Sequence, residues 1–218
     1  MKIDKNSYGT LAMVYIVSIA VVAPLFIFHC NPVVKWVVFA IFLWFCAWQT
    51  CFFRVPVREK SGDDKLVSSV ADGKVVIIEK VFEPEYLKRD CIQVSTYMNF
   101  WDVHANFWPV SGEVSYYKYH PGKHFLAFKP KASEENEHTC IGIRTEDGQE
   151  VFFKQLAGTF ARRIVCYAKE GMKVIAGEQC GIIKFGSRID MYLPLDADIR
   201  VELGVEPRAC ETIMAELR

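Results

Sequence analysis

The chain has 218 residues, with 26 Lys+Arg against 26 Asp+Glu, and 51% of its residues are apolar. The balanced charge argues against the basic surface of a dedicated nucleic-acid binder, and the apolar content excludes intrinsic disorder. Eight cysteines without a Cys-x-x-Cys pair are too sparse for a disulfide scaffold, give no spacing signal for a thioredoxin-like or Cys-based zinc site, and read as reduced thiols.

The averages hide an asymmetry. Residues 1–53 carry only Lys2, Asp4, Lys5 and Lys35 as formal charges. Gly9 to Cys30 and Trp36 to Phe53 are uncharged and apolar, each near the 20 or so residues that cross a bilayer as a helix. Asn31-Pro32 supplies a turn between them. The spacing predicts a transmembrane hairpin with spans at about 9–30 and 33–53. Pro24 is tolerable inside a span, and Trp36, Trp44 and Trp48 suit lipid-facing or interfacial positions. A cleaved signal peptide is the competing reading, but its small-residue cleavage site is missing. A buried soluble hairpin is the other. Lys2 and Lys5 precede the hairpin and Arg54, Arg58 and Lys60 follow it. The positive-inside rule then places both ends, and the rest of the chain, in the cytoplasm.

Past residue 60 the pattern changes to short apolar runs cut by Gly, Pro and Asp. Ser61-Gly62-Asp63-Asp64 is the natural seam, and the domains expected are an anchor over 1–58 and a strand-rich domain over 59–218. Strands are expected at 73–79, 91–95, 112–117, 139–145, 150–154, 173–175, 181–185, 190–194 and 199–201. Asp147-Gly148 makes the fourth and fifth a hairpin. Residues 155–165 read as either helix or strand. Helix is otherwise expected only around 84–90 and at the chain end. Short, regularly spaced strands predict a mainly β (α+β) domain of barrel-sandwich type.

Three segments offer chemistry. Asp72 precedes Gly73, His104 lies in a Trp- and Phe-rich stretch, and Ser187 follows Gly186. Each has an ordinary structural reading: a turn, a core histidine, and a turn or bulge. Together they supply a nucleophile, a base and an orienting carboxylate. Gly-x-Ser-x-Gly is absent and the strand-rich pattern is unlike an α/β hydrolase, so a hydrolase fits poorly.

The residues resemble a known family. Phe52-Phe53-Arg54-Val55-Pro56, Ala71-Asp72-Gly73-Lys74-Val75 and Asp102-Val103-His104-Ala105-Asn106 are similar to blocks of the short, membrane-anchored bacterial phosphatidylserine decarboxylases. So are Tyr119-His120-Pro121-Gly122-Lys123, Lys131 to Glu137, Gly158 to Val165, and Phe185-Gly186-Ser187-Arg188-Ile189-Asp190. The resemblance implies self-cleavage between Gly186 and Ser187, with Asp72 and His104 activating the Ser187 hydroxyl. It implies a covalent pyruvoyl cofactor formed from Ser187, which takes the substrate amine as a Schiff base. It implies large and small fragments held as a heterodimer, with higher homo-oligomers open. The substrate would be phosphatidylserine, decarboxylated to phosphatidylethanolamine at a bacterial inner membrane.

Two positions depart from the family pattern. Phe107 stands where long forms carry a second histidine, which leaves His104 to act alone, and His138 stands where an arginine is expected. Arg162, Arg163 and Arg188 are candidates for the phosphodiester headgroup, and Arg54 and Arg58 for an anionic leaflet. Lys131 and the run Glu134-Glu135-Asn136-Glu137 read as a solvated loop. His120 and His124 are separated by Pro121-Gly122, so no metal is expected. Two rivals stay open: a pyruvoyl decarboxylase of another serine-headgroup lipid, and a non-catalytic membrane scaffold.

Overall fold

A computed structural model describes residues 2–28, 30–60, 63, 65–123, 135–158, 164–184 and 187–218. The chain divides into two compact units, residues 1–57 and 58–218.

In the first unit, Lys2–Ile3 (β1) pairs antiparallel with Arg54–Val55 (β2). Between them run helices Tyr8–Ile27 (α1) and Pro32–Phe52 (α2). Asn31 starts α2: its side chain accepts from the Val33 amide, and Pro32 has the preset φ of a first helical turn. Both helices are long and apolar enough to cross a membrane. Only 11% and 6% of their apolar windows are buried, which distinguishes them from the core helices of a soluble protein. They touch through edge-on contacts of Phe26 with Trp36 and Phe39. A Tyr15–Thr50 hydroxyl pair and the Cys46 thiol on Ser18 add polar contacts.

The second unit is built from strands: Leu66–Ser68 (β3), Lys74–Glu83 (β4), Arg89–Met98 (β5), Ala105–Phe107 (β6), Gly112–His120 (β7) and His138–Arg144 (β8). Glu150–Ala157 (β9), Ile164–Cys166 (β10), Lys173–Val174 (β11), Gln179–Ile183 (β12), Ser187–Leu193 (β13), Asp198–Ile199 (β14) and Ile213–Glu216 (β15) follow. The main sheet has seven antiparallel strands in the order β11-β7-β8-β9-β13-β5-β4. Two three-stranded sheets, β10-β12-β6 and β14-β15-β3, complete the unit. One core joins all three: Val94, Ile141, Phe153 and Met191 of the large sheet meet Val67, Cys180, Ile183 and Met214 of the small ones.

The strand-rich class expected from sequence is present, and β8 and β9 form the expected hairpin, with Arg144 opposite Glu150 and Gly148 at φ +79°. Among the described residues the barrel does not close: β11 and β4 are the edges of the large sheet. No helix forms at 84–90. The buried Glu83 carboxylate accepts from the amides of Glu85, Tyr86 and Leu87 and holds that stretch as a turn. The chain end is the strand β15, which pairs with both β14 and β3. Of the ambiguous stretch 155–165, β9 extends to Ala157 and β10 starts at Ile164.

β13 sits between β5 and β9, so both of its edges are paired, and all seven of its residues are buried. Strand alternation directs Ser187, Ile189, Met191 and Leu193 to the core side. It sends Arg188, Asp190 and Tyr192 to the other.

Candidate active site

Ser187 is the first residue of β13 and has no exposed surface. It lies opposite Met98 of β5 and Ala157 of β9. Its Oγ is 3.7 Å from the Met98 Sδ, and the Nδ2 of Asn106 is 3.9 Å from the same sulfur. Asn106 Oδ1 accepts from Gln155 Nε2 at 2.8 Å, and Gln155 Oε1 accepts from the Thr139 hydroxyl at 2.8 Å. A line of buried polar side chains therefore runs through an apolar core and ends at the serine. Buried polar groups persist only when their hydrogen bonds are met, so each member fixes the orientation of the next.

His104 directly precedes β6. It is fully buried. Its carbonyl accepts from the Ile183 amide at 3.2 Å, tying it to the end of β12. Its Nδ1 is 3.0 Å from the Asp102 carbonyl oxygen. A carbonyl can only accept, so Nδ1 carries the hydrogen and Nε2 the lone pair that a general base requires. Phe107 fills a core position in β6, its amide bonded to the Val70 carbonyl, and contributes no second imidazole.

Asp72 is held differently from the expectation. Its carboxylate takes both terminal nitrogens of Arg58, Nη2 at 2.8 Å, and the Ala209 amide at 2.8 Å. None of these bonds goes to His104. Arg58 also lies 3.5 Å from Glu211 and donates to the Ala209 carbonyl. Gly73 is required beside it, because at φ +149° a Cβ would strike the Tyr97 carbonyl. The pairing corrects the reading of Arg58: with a side chain 6% exposed, it is an internal counter-ion and not a cation offered to a leaflet. The nearby Asp72 raises the already high pKa of this guanidinium, by hydrogen bond first.

A family model for phosphatidylserine decarboxylase matches residues 45–215. A phosphatidylserine decarboxylase proenzyme of Amoebophilus asiaticus is 47% identical over 170 residues, 78% of this chain and 76% of the relative. One from Cytophaga hutchinsonii is 45% identical over 76% of this chain and 75% of its own. One from Porphyromonas gingivalis is 38% identical over 100% of this chain and 99% of its own, hairpin included.

The chain belongs to the phosphatidylserine decarboxylase family.

Of the family-derived site residues, Ser187 and His104 are both fully buried. Asp72 is bonded instead to Arg58 and Ala209. Gly186, Arg162 and Arg163 lie outside the described residues, as do Lys131 and His124. Arg188 is fully buried, with Nε 2.7 Å and Nη2 2.9 Å from the Asp190 carboxylate. Asp190 also accepts from Ser95 at 2.6 Å. Arg188 is thus a buried ion-pair partner at the start of β13 and not a surface cation for a headgroup. Asn136 and Glu137, expected in a solvated loop, are buried: Asn136 Nδ2 donates to the Ala157 carbonyl, and the Glu137 carbonyl accepts from the Ala157 amide. They brace the residue directly opposite Ser187.

Sequence reasoning missed Asn106, Gln155 and Thr139 as site residues. Asn106 had a signal, at alternating spacing from His104. Gln155 and Thr139 had none, because register pairs them with each other and only the packing of the small sheet on the large one brings Gln155 to Asn106.

Proposed function

We propose that the chain decarboxylates phosphatidylserine to phosphatidylethanolamine and CO2 through a pyruvoyl group made from its own Ser187. The observation that carries this reading is Ser187: a wholly buried hydroxyl at the first position of a central strand, in a chain of this family.

Cleavage uses the chain's own groups. The Ser187 hydroxyl attacks the Gly186 carbonyl and the amide becomes an ester. His104, with its lone pair on Nε2, takes the hydroxyl proton. Elimination across Cα and Cβ of residue 187 then releases residues 1–186 with a carboxylate, and water replaces the nitrogen, which leaves as ammonia. The ketone so formed supplies the electron sink that no side chain offers when CO2 departs. The residues around position 187 fit a small, uncharged ketone, since its cross-strand neighbours are Met98 and Ala157 and its Oγ lies against a thioether sulfur.

The fold also supports fragments that stay together. Residues 187–218 would carry β13, hydrogen-bonded on both edges by β5 and β9, and β15, paired with β3. Arg58 and Asp72 add bonds to Ala209 and Glu211 across the same division. We assign the large and small fragments to a heterodimer on this basis, and Arg162 and Arg163 to the headgroup phosphate.

The hairpin suits the substrate. Each buried methylene holds a lipid in the bilayer by about 0.8 kcal/mol, so an enzyme tethered there need not extract it. Lys2, Lys5, Arg54 and Lys60 around the hairpin favour a topology with the strand unit on the cytoplasmic face of an inner membrane.

Intact mass spectrometry tests the reading. The expressed protein should give two fragments, the smaller beginning with a pyruvoyl group in place of Ser187, and Ser187→Ala should stay whole. The cut protein should release CO2 from phosphatidylserine vesicles. A wild-type chain that stays whole would overturn the proposal.

A further inference from the structure

On the face of the large sheet opposite Ser187, four side chains from three segments converge. They are Glu85 in the turn after β4, His120 at the end of β7, and His138 and Cys140 on β8. One ligand-capable atom from each lies within 4.8 Å of all the others. His120 and His138 are cross-strand partners in register, and their rings stack with centroids 4.5 Å apart. His138 and Cys140 share a face by alternation. Glu85 closes the group, with one oxygen 2.6 Å from His120 Nε2 and the other 3.3 Å from Cys140 Sγ.

The geometry points to a tetrahedral transition-metal site, of the class that holds Zn2+, with two imidazoles, one thiolate and one carboxylate as ligands. Zn–N and Zn–O bonds of about 2.0–2.1 Å and Zn–S bonds of about 2.3 Å put tetrahedral ligand atoms roughly 3.3–3.6 Å apart. To receive an ion the cluster must draw in from its 4.8 Å spread, and the stacked imidazoles must turn about their side-chain bonds so that both in-plane lone pairs meet it. Imidazole with thiolate selects zinc over magnesium or calcium. A second feature points the same way. His138 Nδ1 is 2.6 Å from the Asn136 carbonyl oxygen, so it carries the hydrogen and Nε2 is left as the donor to a metal. A metal-bound histidine usually has its other nitrogen fixed by such a bond.

Neighbouring groups are compatible with an ion. Lys118 lies 3.4 Å from Glu85, but its side chain is 54% exposed and can turn to solvent. Lys154 is the cross-strand partner of Cys140 and its charge acts on Cys140 and His138, which favours the thiolate; its ammonium sits over the rings of Phe152 and Tyr192 and 3.8 Å from Glu83. Tyr116 donates to Glu85 Oε1 at 2.8 Å, the same oxygen that faces His120, and holds the carboxylate in place. Binding would displace the thiol proton of Cys140 to solvent and pin the Glu85 turn to the β7–β8 pair. The site is separate from Ser187 and independent of the decarboxylase reading.

Co2+ alone, titrated into the full chain in detergent, is the probe. One equivalent should give visible bands of tetrahedral intensity and a near-ultraviolet thiolate band, both erased by Zn2+. Cys140→Ser should lose the thiolate band. His138→Ala removes a ligand, and should weaken Co2+ binding by at least the roughly 10–100-fold that loss of a group supporting a ligand costs. Cys166→Ser, at a thiol outside the cluster, should keep the spectrum. Should Cys140→Ser fail to fold, the partly exposed His120→Gln replaces it, and the same loss of affinity is expected. No tetrahedral spectrum in the wild type, or one unchanged in Cys140→Ser or His120→Gln, would overturn the site.

Discussion

The two units are built inside out relative to each other. In the hairpin, large apolar side chains face outward: Ile16 is 66% exposed and Phe28 77%. The hydroxyls of Ser18 and Thr50 turn back to carbonyls of their own helices. In the strand unit, Arg188 and Asp190 have no exposure at all. The difference teaches what each unit is solvated by. A helix satisfies its own backbone and can show a wholly apolar surface to lipid. A buried charge tolerates a dry site only when an opposite charge meets it.

The comparison can be broken most severely at the ion pair. Asp190→Ala strands the Arg188 charge and should cost about 3–5 kcal/mol in denaturant unfolding of the full chain. An outward truncation in the hairpin, Ile19→Ala, should leave that curve in place. If both changes were equally mild, the buried pair would not be holding β13.

Next is the Arg58–Asp72 pair, where Arg58→Met should cost about 3 kcal/mol, the low end for a broken buried pair. Cutting at Ser187 sharpens the point. Should Arg58→Met and Asp72→Asn slow cutting alike, Asp72 works through its bond to Arg58. Loss of cutting in Asp72→Asn alone would restore a direct role beside His104.

Asn106→Ala removes the acceptor of the Gln155 amide in the core and should destabilise by about 1–3 kcal/mol. It should also slow cutting measured by fragment mass, because the polar line ends at Ser187.

The thiols give a pH test. Burial pushes Cys91 up to about 11 and Cys210 up to about 12, from an ordinary 9.0. A raised folded value means their contribution is full below pH 9 and is lost as pH climbs toward 11–12. Thermal stability should therefore fall across that alkaline window, and Cys210→Ala should flatten part of the fall. The smallest effect belongs to the hairpin. Thr50→Val removes the bond to Tyr15 and should cost about 0.6 kcal/mol, typical of interhelical bonds in a membrane.

Some of this is legible without any coordinates. Uncharged runs of about twenty residues identify both helices, and Asp147-Gly148 between alternating runs identifies the β8–β9 hairpin. The stretch 84–90 escapes a sequence reading because a single buried carboxylate, Glu83, gathers three amides into a turn, and no local periodicity reports that. Arg188 reads as a surface cation because charge is usually solvated. Its full burial and its pairing with Asp190 are set by how that face of the sheet is covered, which no local pattern reports.

By itself, the sequence determined the two long apolar helices and the strand-rich class, because these rest on local composition and short-range pattern; the Gly186-Ser187 block stands out only through its resemblance to the family. Tertiary structure alone decided that Asp72 pairs with Arg58, that Asn106 reaches toward Ser187 beside Met98, and that His120 meets His138 across strands. The last of these depends on register, where a shift of one residue turns every side chain to the opposite face of the sheet; the first two join residues that are not strand partners, and depend on how loops and sheets pack together.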